Sequence, residues 1–190
     1  MTFVAYCLVA VGVVVTQEVS WATSSRPNVL TTAAQVRRLT PDQAAGGLPA
    51  VLRGTVTFYG PRPGSFFFQD GTVGIYIESD PTGIGLKAGD AVEIEGETTP
   101  GQFTPNVRAK KITILDRRSS WPVGRRATFD SMISGREAGQ WIETPGIVRS
   151  ASFEAGAPGR VNLRLSNGTR VFPARLENAT GIDPATLVDA

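Results

Sequence analysis

The chain reads as an all-β protein with a few short helices, arranged as two small barrels in tandem, the second incomplete. Three observations predict this. From residue 50 onward the apolar residues recur with a period of two, the spacing of a half-buried strand rather than of a helix. Gly 21 and Pro 13 among 190 residues supply the turns that many short strands require. The order of blocks before residue 116 also recurs, weakly, after residue 128.

The chain opens on a different pattern. Residues 3–15 are an unbroken run of small or apolar side chains that stops at Thr16-Gln17-Glu18. A bilayer core needs about 20 such residues, so the shorter run matches the apolar centre of a secretory signal instead. Ser20-Trp21-Ala22 puts small residues where a signal peptidase reads, with cleavage after Ala22. No Lys or Arg precedes the run, which leaves a misplaced start, an uncleaved anchor, or a buried strand or helix as alternatives. A signal-like segment is therefore placed at residues 1–22, and the location it implies is extracytoplasmic, periplasmic or secreted.

Residues 23–47 read as a linker and a short helical leader. Thr31 or Thr32 caps a helix whose Val36 and Leu39 share one face. Thr40-Pro41-Asp42-Gln43 then restarts a short helix, with Thr at the N-cap, Pro at the first helical position and Asp and Gln in the first turn, and Gly46-Gly47 ends it.

Residues 48–115 carry the first barrel, with strands expected at 51–58, 65–69, 73–78, 91–96 and 107–115. Gly60-Pro61-Arg62-Pro63-Gly64 and Asp70-Gly71 supply the first two turns, and Leu86-Lys87-Ala88-Gly89-Asp90 leads into the fourth strand. Five short strands, with Gly54 inside the first where the backbone must bend, are the pattern of an OB-fold-like five-stranded barrel. Residues 116–139 form a linker with a short helix from Thr128, and residues 140–190 repeat the barrel pattern. Trp141 to Arg149 mirrors the strand around Gly54, and Ser166-Asn167-Gly168-Thr169 mirrors the turn at Asp70-Gly71-Thr72. Leu187-Val188-Asp189-Ala190 resembles the approach to a fourth strand that does not follow, so the second barrel reads as truncated and the chain as a piece of something longer.

Composition excludes several chemistries. There is no His, and Cys7 is the only Cys, so triads of the Ser-His-Asp or Cys-His kind and Cys- or His-built zinc sites cannot form. Asp70 and Asp90 sit beside Gly in turns, where Asp is favoured for its local hydrogen bonds, and Glu93 and Glu95 share one solvated strand face. No catalytic residue, metal site or cofactor is expected, and the chain is not expected to be an enzyme. The net charge of +2 is too mild to announce a nucleic-acid or membrane-surface protein. Arg37-Arg38, Arg117-Arg118 and Arg125-Arg126 fall in helix or linker segments and read as solvated pairs.

The blocks Leu30 to Thr40, Val51-Leu52-Arg53-Gly54-Thr55-Val56-Thr57, Phe66-Phe67-Phe68-Gln69-Asp70-Gly71 and Leu86 to Gly96 occur here in an order seen elsewhere. Together they resemble the extracytoplasmic amino-terminal region of large bacterial two-component sensor histidine kinases, of the acidobacterial type. In that family, paired OB-like domains precede a membrane helix and a kinase core. This chain contains neither the membrane helix nor the phosphoacceptor His nor the ATP-binding core, so kinase activity does not carry over. The resemblance implies a non-catalytic sensory or scaffolding role outside the cytoplasm.

Strand alternation assigns a candidate ligand face. Leu52, Val56 and Phe58 are expected inside, with Phe66, Phe68, Ile75 and Ile77. Arg53, Thr57, Phe67, Gln69 and Tyr76 are then the candidate binding residues on the outer face that OB barrels use, with Phe67 and Tyr76 as stacking platforms and Arg53 and Gln69 as polar arms. The competing reading has Phe67 and Tyr76 covered by the helices or by the second barrel. The expected partner is an unknown small molecule or a cell-envelope component, with a secreted binder of single-stranded nucleic acid or oligosaccharide as the alternative. Outward Glu78, Glu93 and Glu95 weigh against phosphates. A membrane is expected to be met only through the amino-terminal segment or a helix downstream of this chain.

Overall fold

The computed structural model describes residues 28–60, 65–79, 84–117, 120–168 and 170–189. The signal-like segment and the turn at 61–64 lie outside the described residues. Among the described residues no helix is long and apolar enough to cross a membrane.

Two five-residue helices precede the first strand: α1 (Ala33–Arg37) and α2 (Pro41–Ala45). Each begins with a capping box, Thr32 with Gln35 and Thr40 with Gln43, which satisfies two of the amide groups a helix start leaves open. The strands β1 (Pro49–Tyr59), β2 (Ser65–Gln69), β3 (Gly74–Glu78), β4 (Ala91–Thr99) and β5 (Asn106–Asp116) close into a barrel of order β1-β2-β3-β5-β4. All pairs are antiparallel except β3 with β5, where Ile77 faces Val107. This is the five-stranded Greek-key closure of an OB fold.

Closure depends on how β1 bends. Its first half pairs with β4 and its second half with β2, and Thr55 faces both Ala91 and Gln69. Gly54 sits at that corner: a side chain there would place its first carbon 2.3 Å from the Gln69 carbonyl oxygen and 2.7 Å from the Phe68 ring. The core inside is Leu52, Val56, Phe66, Phe68, Ile75, Ile77, Val92, Ile94 and Val107, all fully buried. Each large member contributes about 1.5–3 kcal/mol by leaving water.

The two helices are part of this domain rather than a separate leader. Leu30, Ala33 and Val36 belong to the same core cluster as the barrel residues. Asp70 fixes α1 to the β2–β3 turn: one carboxylate oxygen accepts from the Thr72 and Val73 amides, the other from the Ala33 amide at 2.7 Å. Thr98 ties α2 down, accepting from the Leu48 amide and donating to the Ala44 carbonyl. Turn chemistry also accounts for Asp90, which is buried, accepts from the Lys87 amide and pairs with Arg117 at 3.2 Å. Arg117 is thereby not a free solvated cation.

Beyond the barrel, β6 (Arg125–Arg126) pairs in parallel with β7 (Ile142–Glu143), and α3 (Phe129–Ile133) lies between them in sequence, capped by Thr128. Residues 141–149, expected as one strand, are split into β7 and β8 (Ile147–Phe153). Pro145 lies in the break, where it has no amide to give a ladder. Residues 125–126 are a strand rather than linker or helix, and Arg125 is paired with Glu137. An antiparallel sheet of order β10-β9-β8 follows, with β9 (Val161–Ser166) and β10 (Val171–Leu176). It repeats the β1–β2–β3 meander, including a register shift in its first strand, between Val148 and Ser150. Among the described residues this second sheet has these three strands and does not close. Residues 184–187 form a 3₁₀ turn, and the Asp189 amide donates to the Val148 carbonyl at the flank of β8.

The glycine corner gives a direct test. Gly54→Ala is expected to lower stability by about 3 kcal/mol or more, because backbone rather than a flexible side chain must move. Gly71→Ala, where an added carbon meets nothing within 4 Å, should cost well under that. Urea unfolding midpoints of the two variants should differ accordingly.

Candidate ligand-binding cleft

Alternation along two paired strands places the candidate rings. Phe66 and Phe68 turn into the core, so Phe67 turns out, directly opposite Tyr76 on β3. The two rings meet edge to face, 5.6 Å apart at 62°. A third ring joins them against expectation. A bulge in β1 between Val56 and Phe58 inserts Thr57 as the extra residue, so Phe58 faces Phe67 and leaves the core. Phe58 is 37% exposed and packs at a tilt against Phe67, 6.0 Å away, whereas Thr57, expected on the open face, is only 5% exposed. The outer face thus carries a row of three rings across β1, β2 and β3.

Two walls rise from this floor. One is the β4–β5 loop, where Gly101 adopts a φ of 64° and a side chain would collide with the Thr104 carbonyl at 2.0 Å. That tight turn presents Phe103, which is 78% exposed, beside Gln102, Thr104 and Asn106. The other wall is the segment leading from α3 to β7, which contributes Ala138 and Gly139. Between the walls lies a cleft of about 440 Å³ lined by Phe67, Tyr76 and these six residues, none of them charged.

The second wall is held by a backbone crossing. Gly139 passes over Gly74 so closely that a side chain on Gly74 would lie 2.1 Å from the Gly139 carbonyl oxygen. The Gly74 amide donates to Gln140 Oε1 at 2.8 Å, and the Trp141 amide donates to Gln69 Oε1 at 2.9 Å. Arg37 clamps the crossing from α1, donating to the carbonyls of Gly74 (3.2 Å), Ala138 (2.5 Å) and Arg136 (3.2 Å). Burial lowers the Arg37 pKa from its ordinary value, Glu137 raises it and Arg125 lowers it. Arg37 is therefore a structural clamp and not the solvated helix residue that the sequence suggests.

Of the five residues proposed from sequence, the structure brings Phe67 and Tyr76 together in the cleft. Gln69 and Thr57 lie beneath the crossing segment: Gln69 is engaged with Trp141, and Thr57 lines a pocket of about 140 Å³ with Phe58, Phe67 and Gly139 to Trp141. Arg53 stands apart, paired with Glu93 at 2.5 Å across β1 and β4. The cover that the sequence allowed for Phe67 and Tyr76 exists in part, supplied by the connecting segment rather than by the helices or the second sheet. Phe103 and Asn106 escape a strand-by-strand reading because they lie at or beyond a loop. The available signal is a single Phe between two prolines in the polar run Pro100-Gly101-Gln102-Phe103-Thr104-Pro105, and loops carry function more often than scaffold does.

Charges are paired elsewhere. Glu78 pairs with Arg108, Glu95 with Lys111 and Glu97 with Lys110 along β3, β4 and β5. A hydrogen bond from Lys110 holds the Glu97 carboxyl below its ordinary range, and Glu95 raises Lys111. Among the described residues no three Asp, Glu, Cys or His side chains converge as metal ligands.

No protein-family model matches the chain, and no curated protein matches its sequence. Among solved structures it is similar to the hypothetical protein ygiW from E. coli, at 21% identity and TM-score 0.38, over 45% of this chain and 89% of that one. It is also similar to an asparaginyl-tRNA synthetase from Pyrococcus horikoshii, solved with asparaginyl-adenylate, at 16% identity and TM-score 0.38, over 56% of this chain and 27% of that one.

The clamp predicts a local effect. Arg37→Ala should remove about 1.5–3 kcal/mol from the docking of the crossing segment, as expected for hydrogen bonds from a charged donor. Hydrogen exchange at the Trp141 amide should accelerate about tenfold or more relative to amides within β2.

Proposed function

We propose that this chain is a non-catalytic binding module whose first barrel seats a neutral, flat-faced ligand of the oligosaccharide class. The observation that carries this is the ring set of Phe67, Tyr76 and Phe103 around a cleft with no charged lining side chain. Rings offer apolar faces on which a sugar ring or a base can stack, at about 1–3 kcal/mol per contact. A nucleic acid would also need its phosphates neutralised. The cleft supplies no Lys or Arg for that, and nearby Arg108 already pairs with Glu78. Gln102, Thr104 and Asn106 instead offer amide and hydroxyl groups suited to sugar hydroxyls.

Two further parts of the reading rest on the sequence. The apolar run at residues 3–15 supports export, and the block order shared with sensor kinases supports detection of an envelope or environmental ligand as the role. The absence of His and the engagement of Asp70 and Asp90 in turns support a role without catalysis.

Calorimetric titration with neutral oligosaccharides is the test. Binding by the purified chain should weaken about 5- to 100-fold in Phe67→Ala and in Tyr76→Ala, while Arg53→Ala should leave it unchanged. Binding of oligothymidylate with a steep salt dependence, and of no sugar, would overturn the oligosaccharide class in favour of single-stranded nucleic acid.

A further inference from the structure

On the far side of the backbone crossing, a cavity of about 420 Å³ lies between the β2–β3 turn and the segments that lead into β6 and β7. None of its lining residues belongs to the neutral cleft. That cleft has a neighbour of about 440 Å³ beside α3, with which it shares Phe103 and Ala138, and more of the surface of the far cavity is polar than in either. The far cavity also has an aromatic wall. Trp141 lines it, and Trp121 lies against Trp141, ring centres 5.0 Å apart and planes at 32°. Both indoles stay open to water, Trp121 at 49% and Trp141 at 38% exposure. The backbone of Trp141 is held on both sides: its amide donates to Gln69 Oε1, and its carbonyl accepts from the Arg125 amide at 3.3 Å. Ring and guanidinium are thereby neighbours on paired strands.

The side chains around this wall can donate but have little left to accept with. Asp70 accepts from the amides of Ala33, Thr72 and Val73 and from the Thr72 hydroxyl, so both of its oxygens are engaged. Gln69 and Gln140 each use the side-chain oxygen on a backbone amide. A backbone N–H can only be met by an acceptor, so both carboxamides are oriented and their NH2 groups remain as donors. Arg125 gives one guanidinium nitrogen to Glu137, and its other N–H groups remain. Glu137 also attracts Arg37, so an incoming anion meets no free carboxylate among these groups.

We propose that this cavity is a second ligand site, which takes a ring bearing a carboxylate. The ring lies on the Trp141 indole, and the carboxylate is held by the Arg125 guanidinium with the Gln69 and Gln140 amides. A carboxylate only accepts, and a guanidinium edge matches its two oxygens. A neutral hydroxyl both donates and accepts, so in this setting its proton would lack a partner. The site is independent of the neutral-sugar reading, since the two cavities share no lining residue.

Tryptophan fluorescence of the full chain reads the site, because two of the three Trp residues stand at it. The probes are trigalacturonate and benzoate, each beside its methyl ester, which keeps the ring and removes the charge. The acid should bind about tenfold more tightly than its ester at low salt, as hydrogen bonds to a charged group allow. Arg125→Gln should bring that ratio to about one. Arg125→Lys keeps a cation for Glu137 but loses the planar fork, and should lower the ratio severalfold. Trp141→Ala should weaken the acid about 5- to 100-fold, and Trp141→Phe should recover most of that loss. A response to trigalacturonate alone assigns the site to acidic sugars, and a response to benzoate alone assigns it to aromatic acids. Equal binding of acid and ester by the unaltered protein overturns the carboxylate assignment. Acid binding that survives Trp141→Ala overturns the location. No response to either acid overturns the proposal and leaves the neutral cleft standing.

Discussion

The architecture turns on the place where two backbones cross without side chains between them. Gly74 on β3 and Gly139 on the segment after α3 approach until a single added carbon would overlap the opposing chain. Gly139 also holds a φ of 73°, which few other residues adopt. Such a crossing leaves carbonyls and amides that must find partners. Gln140 and Gln69 take the amides, and Arg37 takes the carbonyls from its place on α1. Arg37 is placed in turn because α1 is fixed by Asp70 and by the burial of Ala33 and Val36 in the barrel core. A chain of named contacts therefore runs from the capping of a five-residue helix to one wall of the cleft.

The same contacts explain what could and could not be read from the sequence. Helix starts are local patterns: the starts at Thr40 and Thr128 are read directly, the first is narrowed from Thr31 or Thr32 to Thr32, and each of the three carries a capping box. The alternation in Ser65–Gln69 and Gly74–Glu78 fixes faces because one face is buried and the other is not. The bulge in β1 is different. Val56-Thr57-Phe58 offers an acceptable inner residue in either register, so only closure of the barrel against β2 decides that Thr57 is the extra one. Pro145 forbids a continuous strand by itself, yet similarity to the first strand draws residues 141–149 into one element. Arg37 and Phe103 carry non-local roles, set by a segment some hundred residues away in one case and by a loop turn in the other.

The three-stranded sheet buries its residues less completely than the closed barrel does. In the first barrel every inward residue of β2 and β3 is fully buried, and in β8 to β10 only Val161 and Ser166 are. Phe129 of α3 packs on Phe172 of β10 at 5.8 Å, and the Arg170 guanidinium lies over the Phe129 ring at 4.9 Å. Arg160 adds a partly buried junction with Glu154 and Glu177. The shared meander, the shared bulge in the first strand and the preceding capped helix fit a duplicated unit whose two copies meet different packing demands.

The cleft is neutral because no charged side chain lines it, and the charged residues on the strands around it are paired. Lys110, Lys111, Arg53 and Arg108 each face an acid on a neighbouring strand. Exposed pairs of this kind add only about 0–1 kcal/mol each to stability. Their larger effect is on the field, because cross-strand pairing cancels charge locally and leaves little potential to draw an ion toward the rings. On the proposed reading, recognition at this face depends on stacking and on a few amide and hydroxyl groups. Phe103 and Ala138, which line both this cleft and its neighbour, are held by the β4–β5 turn and by the backbone crossing, so the shape of the face is set by those two devices.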